Sequence, residues 1–363
     1  MTELEKARQI IDEADARMAE LFVKRMEAVK IIARYKTEKG LRIEDPEREA
    51  AVIEKNAAAL SAADLRDWYV GFLKSNMEIS KSYQRRLRDG MRVAFSGVTG
   101  AFADIAAARI FPEATRVPCR DFKAAYESVA AGECDVCVLP VENSQNGDVG
   151  QVMDLAFFGD LFINGVYSVP VVHNLLALPG ATLDGIKKVV SHPQALGQCA
   201  AYIHEHGFET LEVVNTAVAA KTVGESGDKT VAAIASEEAG RQFGLVRLEG
   251  RINGDDVNST RFAVFSRTKA ETRDAGRFIM LFTVNNESGS LSRAIEMIGK
   301  NGFNMRALKS RPAKELIWSY YFFVEGEGDI DSAAGKKMLL DLSSCCNSVK
   351  VVGRYAKDVE FRG

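Results

Sequence analysis

The feature that most constrains this chain lies at its N-terminal end, where an apolar stripe of helical period is broken by cations. Leu4, Ile11, Met18, Phe22, Val29 and Ile32 recur at about 3.5 residues, a spacing suited to packing against other helices or a second chain. Arg8 falls between Leu4 and Ile11, Arg25 between Phe22 and Val29, and Lys36 four residues after Ile32. At about 100° per residue, Arg25 and Lys36 point almost the same way, toward the expected interior. Burying unpaired cations is prohibitive, so they require carboxylate partners or an anionic ligand.

Residues 1–90 show no strand-like alternation and a single proline, Pro46, which predicts an all-helical domain of three helices. Asp45 suits an N-cap and Pro46 the first turn of a second helix, on which Asp45, Arg48 and Glu49 share a face. Ser80 and Gln84 stand four apart on a third helix. Together these groups are expected to line a polar pocket inside a helix bundle. The set Arg8, Arg25, Lys36, Asp45, Arg48, Glu49, Ser80 and Gln84 closely resembles the all-helical chorismate mutases. That resemblance implies an interlocked dimer in which Arg8 serves the partner's site. It also implies that chorismate rearranges to prephenate within this domain. Such a rearrangement needs no nucleophile or base, only a compact conformer and support for charge on the ether oxygen. Arg8, Arg25 and Arg48 would clamp carboxylates, Lys36 and Gln84 would donate to the ether oxygen, and Glu49 would bind a hydroxyl. Asp45 and Ser80 complete the expected substrate-binding set.

From Met91 the pattern changes to short apolar runs alternating with helical stretches, which predicts α/β organisation over residues 91–267. Gly97-Val-Thr-Gly100 joins a strand to a helix but is not a GxGxxG fingerprint, so no dinucleotide site is expected. Polar groups gather at strand ends in Glu142-Asn143-Ser144, in Ser191-His192-Pro193-Gln194 with Gln198, and in Asn258-Ser259-Thr260-Arg261-Phe262. Strand ends are where open α/β sheets bind ligands. These motifs resemble the prephenate dehydratases, which implies a two-lobed, periplasmic-binding-protein-like domain with its site between lobes. Gly100 departs from the family's hydroxyl-bearing turn, being followed by Ala101-Phe102-Ala103. Thr260 is the candidate proton donor to the departing ring hydroxyl. Arg261 either pairs with a substrate carboxylate or holds Glu142. Glu142, Asn143, Ser144, Ser191, Gln194, Gln198, Asn258 and Phe262 would surround the substrate, and His192 is either a general acid or a structural group.

A polar linker, 268–276, leads to a third segment, 277–363, whose βαββαβ order predicts an α+β ferredoxin-like module. It resembles the ACT regulatory domains, in which two turns form a phenylalanine site between subunits. The corresponding residues are Gly289, Ser290, Leu291, Asn304, Lys309, Ser310, Arg311 and Pro312. Lys309 stands where the family carries glutamate, a reversal of charge.

Composition narrows the partners. A net charge of −3 provides no broad basic field for nucleic acid or an anionic membrane, and no apolar run reaches about 18 residues, so a cytosolic protein is expected. Cys134 and Cys137 have no second pair at zinc spacing, and neither a metal nor a cofactor is expected. The combined expectation is a bifunctional chorismate mutase and prephenate dehydratase, forming a homodimer or homotetramer, with chorismate and prephenate as substrates and L-phenylalanine as effector. The rival is a non-catalytic or single-activity sensor of aromatic or amino acids built from the same modules. The interior cations count against it, because a dimerisation helix fills such positions with apolar residues.

Overall fold

The structure, a computed structural model, describes residues 1–253, 258–270, 275–312 and 320–361. Glu271–Asp274 of the expected linker lie outside those residues. The chain forms two compact units, Met1–Arg92 and Val93–Gly363.

The first unit is helical, with α1 (Glu3–Glu38), α2 (Pro46–Ala58) and α3 (Arg66–Asp89). Thr2 opens α1 with a capping box: its hydroxyl accepts from Glu5 N at 3.2 Å while Glu5 accepts from Thr2 N at 2.7 Å. Asp45 caps α2 by accepting from Arg48 N at 3.1 Å, and Pro46 occupies the first turn. α3 packs on both other helices. Only the second half of α1 buries apolar groups, Val29 and Ala33, while Leu4, Ile11, Met18 and Phe22 stay exposed.

The second unit begins with a lobe of β1 (Arg92–Ser96), α4 (Phe102–Ile110), β2 (Thr115–Cys119), α5 (Phe122–Ala130), β3 (Val136–Asn143), β4 (Gly147–Asp148), α6 (Gly150–Phe158) and β5 (Phe162–Pro170). The chain then crosses to a second lobe of β6 (Asn174–Ala177), β7 (Lys188–Ser191), α7 (Pro193–Gln198), α8 (Ala200–His206), β8 (Glu209–Glu212), α9 (Thr216–Ser226), β9 (Val231–Ala235), α10 (Glu237–Gln242) and β10 (Val246–Glu249). It returns as β11 (Ser259–Ser266), which inserts between β3 and β5, antiparallel to both. The first lobe's sheet runs β5-β11-β3-β1-β2 and the second lobe's β10-β6-β9-β7-β8. The central run Val136-Cys137-Val138-Leu139 reads as unbroken apolar sequence and is buried throughout, as a strand covered on both faces must be. The two crossings are tied together where Ile252 N donates to His173 O at 3.0 Å and Val171 N to Asn258 O at 2.8 Å.

The C-terminal part comprises β12 (Arg277–Thr283), α11 (Ser290–Lys300), β13 (Asn304–Pro312), β14 (Tyr320–Glu327), α12 (Ala333–Ser343), β15 (Ser348–Tyr355) and β16 (Val359–Glu360). Its antiparallel order β13-β14-β12-β15 is that of a ferredoxin-like plait. Alternation along β12 divides its work. Phe278, Met280 and Phe282 face the core under α11 and α12, whereas Ile279 and Leu281 join Val141, Val152 and Met153 in the first lobe's core. The sheet continues from the plait into the lobe where Gly353 of β15 meets Ile163 of β5. A Cβ on Gly353 would stand 2.9 Å from that of Ile163, so only glycine allows this approach.

α6 is one anchor between lobe and plait. Arg311 grips Asp154 through Nε and Nη2, both at 3.0 Å, the Tyr321 hydroxyl donates to Asp154 at 2.6 Å, and the Phe157 and Tyr321 rings stack with centroids 4.2 Å apart. Lys350 donates to the carbonyls of Ala156, Phe157 and Gly159, placing a cation at the C-terminus of the helix. Removing one partner of a half-buried ion pair strands the other. Asp154→Ala is expected to lower the unfolding free energy of the second unit by about 3 kcal/mol in denaturant titration, against a change within about 0.5 kcal/mol for Glu127→Ala on the surface.

Candidate active sites

In the helical unit α3 collects most of the expected groups. Arg25 donates to the buried Ser80 hydroxyl and to Asn76 O at 3.4 Å, both neutral acceptors. It has no carboxylate partner among the described residues, and burial lowers its pKa. One turn beyond Ser80, Gln84 is buried with its Oε1 unpartnered, as is Asn76 Oδ1. Lys36 donates to Ile43 O at 2.5 Å, and Glu49 pairs with Lys81 at 3.1 Å. An under-compensated cation beside unpartnered amide oxygens is a place for an anionic ligand with hydroxyl groups. Arg48 is exposed. Arg8 lies about 25 Å from Arg25 along α1 at 1.5 Å per residue, too far to serve the same site within one chain.

In the second unit a cleft of about 350 Å³ opens between the lobes. Asn143, Thr260 and Phe262 reach it from the first lobe, His192, Gln194 and Gln198 from the second, all foreseen in the sequence. His173, Asn215 and Thr216 also line it and were not foreseen. His173 sits on the crossing between lobes, followed by Asn174 within a largely apolar stretch. Asn215 carries the one legible signal, an N-cap before a helix: it accepts from Val218 N at 2.8 Å, which leaves its amide nitrogen able to donate. Ala101, Phe102 and Ala103 make one wall apolar. Their turn is held by the buried Asp104, which accepts from Gly100 N at 2.9 Å and from Arg116 at 2.7 Å.

The floor of the cleft is a cross-strand pair. Thr260 opposes Asn143, and the Asn143 amide nitrogen lies 3.0 Å from Thr260 Oγ1 and 2.9 Å from Asn258 Oδ1. Asn143 Oδ1 accepts from Gln145 N at 3.1 Å and Asn146 N at 3.0 Å, fixing the side chain. Because Asn143 satisfies an acceptor site on Thr260, the threonine proton is free to point into the cleft. His192 caps α7, its Nδ1 accepting from Gln194 N at 3.2 Å, so it has a structural duty as well as a place on the wall.

Five expected substrate contacts lie outside the lining, among them Asn258, whose Oδ1 is taken by the Asn143 amide. Ser191 is fully buried and donates to Ile234 O at 2.6 Å, while Ser144 accepts from Ser259 N at 3.0 Å, so each hydroxyl is committed to backbone. Glu142 and Arg261 point to the opposite sheet face, as strand alternation requires when Asn143 and Thr260 face the cleft. They pair there at 2.9 Å, which decides for the second of the two roles open to Arg261. Burial alone would raise the Glu142 carboxyl, but hydrogen bonds from Arg261 and Lys309 hold it below the usual carboxylate value. Burial likewise opposes charge on Arg261, yet Glu325, Glu142 and Asp358 raise its pKa further. Among the described residues, no acid, lysine or arginine lines the cleft itself.

In the plait, Gly289, Ser290 and Leu291 follow the end of β12 that pairs through Tyr321 with Arg311, so the two turns share one end of the sheet. Asn304 does not join them: it donates to Glu327 at 2.9 Å at the opposite end. Lys309 reaches Glu142 at 3.0 Å and also Asp148, and Arg311 reaches Asp154. Both are thus engaged with the first lobe.

Comparison with known proteins adds to this geometry. Residues 7–85 match the family described as chorismate mutase type II, and residues 93–270 match prephenate dehydratase. The chain is 30% identical to the bifunctional chorismate mutase/prephenate dehydratase of Neisseria gonorrhoeae over 96% of its own length and 95% of that protein. It is 29% identical to the enzyme of the same description from Aquifex aeolicus, over 98% and 99% of the two chains. Among solved structures it is similar to a prephenate dehydratase in complex with L-Phe from Arthrobacter aurescens, with a TM-score of 0.68, 28% identity, and coverage of 74% of this chain and 90% of that one.

His173 gives the cleft a pH signature. Its Nε2 meets Gln198 Oε1 at 2.8 Å and its buried Nδ1 has no partner among the described residues; burial lowers its pKa below the ordinary 6.5, only partly offset by Gln198. The native state therefore resists a proton that the unfolded state takes up near pH 6.5, so stability is full above that pH and falls as the pH drops below it. Thermal unfolding between pH 5 and 7 is expected to show a shallower acid decline in His173→Gln than in the parent chain.

Proposed function

The chain belongs to the bifunctional chorismate mutase/prephenate dehydratases, and from that membership we propose how its two sites divide the work. The helical unit rearranges chorismate to prephenate, and the cleft of the second unit converts prephenate to phenylpyruvate, with L-phenylalanine as feedback inhibitor. The rival reading as a sensor is not favoured, because bifunctional enzymes match over nearly the whole chain.

In the mutase site Arg25 and Arg48 clamp substrate carboxylates and Glu49 takes a hydroxyl. Lys36 spends one of its three protons on Ile43 O and keeps others for the ether oxygen, where Gln84 also donates. The exposed stripe on α1 and the remoteness of Arg8 support a homodimer in which Arg8 crosses to the partner's site. The C-terminal plait acts as an ACT-type effector module. Its topology supports this, as does a likeness to the L-Phe-bound structure that covers more of the chain than residues 93–270.

The single observation that carries the dehydratase assignment is Thr260, a buried hydroxyl on the cleft floor whose acceptor side is held by Asn143. As the bond to the ring carboxylate breaks, its electron pair enters the ring. The opposite carbon–oxygen bond breaks and Thr260 passes a proton to the departing oxygen. Carbon dioxide, water and phenylpyruvate result, and the threonine regains its proton from solvent. Aromatisation drives the step, so a weak acid suffices when it is held rigidly and kept dry. Asn215, Thr216, Gln194 and Gln198 orient the substrate with neutral hydrogen bonds.

The two sites predict a double dissociation. With chorismate and with prephenate supplied separately, Arg25→Ala is expected to lower chorismate turnover by well over tenfold while leaving prephenate dehydration unchanged. Thr260→Val is expected to do the reverse, and L-phenylalanine to slow phenylpyruvate formation in the parent chain. Equal loss of both activities in either variant would refute the assignment.

A further inference from the structure

The strand pair that carries Thr260 has a second face. β11 and β3 pair Thr260 with Asn143 and, one step along, Arg261 with Glu142. The first pair lines the cleft and the second is turned toward the plait. There Glu325 of β14 grips Arg261 through two hydrogen bonds of 3.0 and 2.8 Å, joined by Asp358 at 2.8 Å and Glu142 at 2.9 Å. Glu325 is a carboxylate only 2% exposed, and it also accepts from the Tyr355 hydroxyl at 3.1 Å and from Arg306 at 3.3 Å. Opposite the Arg261–Phe262 step, β3 carries one extra residue, Val141, a β-bulge that lies beside Glu142.

We propose that Glu325 is a positioning residue for dehydration: by holding Arg261 from behind, it sets where the Thr260 hydroxyl stands in the cleft, and it relays effector occupancy of the plait to that hydroxyl. The inference rests on the dehydratase reading with L-phenylalanine as effector. A two-point grip fixes both the place and the orientation of a guanidinium, which one contact cannot do. Arg261 and Thr260 are chain neighbours on β11, opposite the bulged end of β3, so a shift of one moves the other. Misplacing a reacting group by about 1 Å costs on the order of 100-fold in rate. Glu325 touches no substrate. It acts through Arg261, from a strand of the plait whose neighbour β13 also sends Lys309 to Glu142.

The test is Glu325→Gln in the full chain, which keeps the shape and removes the charge. The kcat for prephenate is expected to fall at least about tenfold with KM held within about twofold. L-Phenylalanine should still bind by calorimetry, showing an intact plait, yet no longer alter the rate. The double variant Arg261→Gln/Glu325→Gln should be no slower than Arg261→Gln alone, because both changes break one contact. Unchanged kcat and inhibition in a folded Glu325→Gln protein would overturn the proposal, as would additive losses in the double variant. If circular dichroism shows Glu325→Gln unfolded, Tyr355→Phe loosens the same carboxylate: a smaller kcat loss with weakened inhibition supports the proposal, and unchanged kinetics overturns it. A parent chain that fails to dehydrate prephenate is a separate outcome, seen before any substitution; it removes the dehydratase reading and this inference with it.

Discussion

The insertion of β11 between β3 and β5 is the constraint on which the second unit depends. The strand returns from the second lobe and pairs antiparallel on both sides, so its backbone is fixed by two ladders and its side chains by two faces. Register then leaves little freedom. A slip of one residue would turn Thr260 away from the cleft and bring Arg261 into it, exchanging a neutral hydroxyl for a cation. The apolar run Phe262-Ala263-Val264-Phe265 resists that slip because all four residues are buried.

What the sequence made legible follows from this geometry. Thr260, Asn143 and Phe262 could be placed because they begin or end apolar runs, and strand ends in open sheets carry sites. That Arg261 holds Glu142 was one of two roles the sequence left open; that the pair faces away from the cleft was hidden because a motif read as a string does not display the alternation that separates neighbours onto opposite faces. Ser191 looked available because its hydroxyl shows in the sequence while its carbonyl partner, Ile234, lies on another strand. His173 left no usable trace, since a lone histidine between valines and leucines has the pattern of a core residue. In the helical unit the cations on the apolar stripe were the strongest clue, for their cost is intrinsic to the residue types. Gln84 and Ser80 needed only helical spacing.

The interface of lobe and plait was the least legible part, because it is built from residues distant in sequence. Asp154, Arg311 and Tyr321 come from three elements, and nothing in their local patterns announces the others. Lys309 illustrates the limit well. Compared with a family motif it is a reversal of charge; in the fold it is a cation meeting Glu142 and Asp148, so the substitution finds its reason in partners on another element.

The two sites also differ in charge, and the difference follows from what each reaction does to its substrate. Rearranging chorismate conserves both carboxylates, so cations in the role proposed for Arg25 would stabilise reactant and transition state alike while enforcing the compact conformer, and would oppose nothing. Dehydrating prephenate destroys a carboxylate. A guanidinium paired with that group would stabilise the reactant more than the departing carbon dioxide and would raise the barrier. A cleft whose described lining has neither lysine nor arginine avoids that penalty, and the neighbouring Arg261 is turned behind the sheet and neutralised by Glu325, Asp358 and Glu142. Strand alternation thus does chemical work: it keeps a cation one residue from Thr260, the proposed proton donor, as a structural clamp, yet out of the field in which the carboxylate must leave.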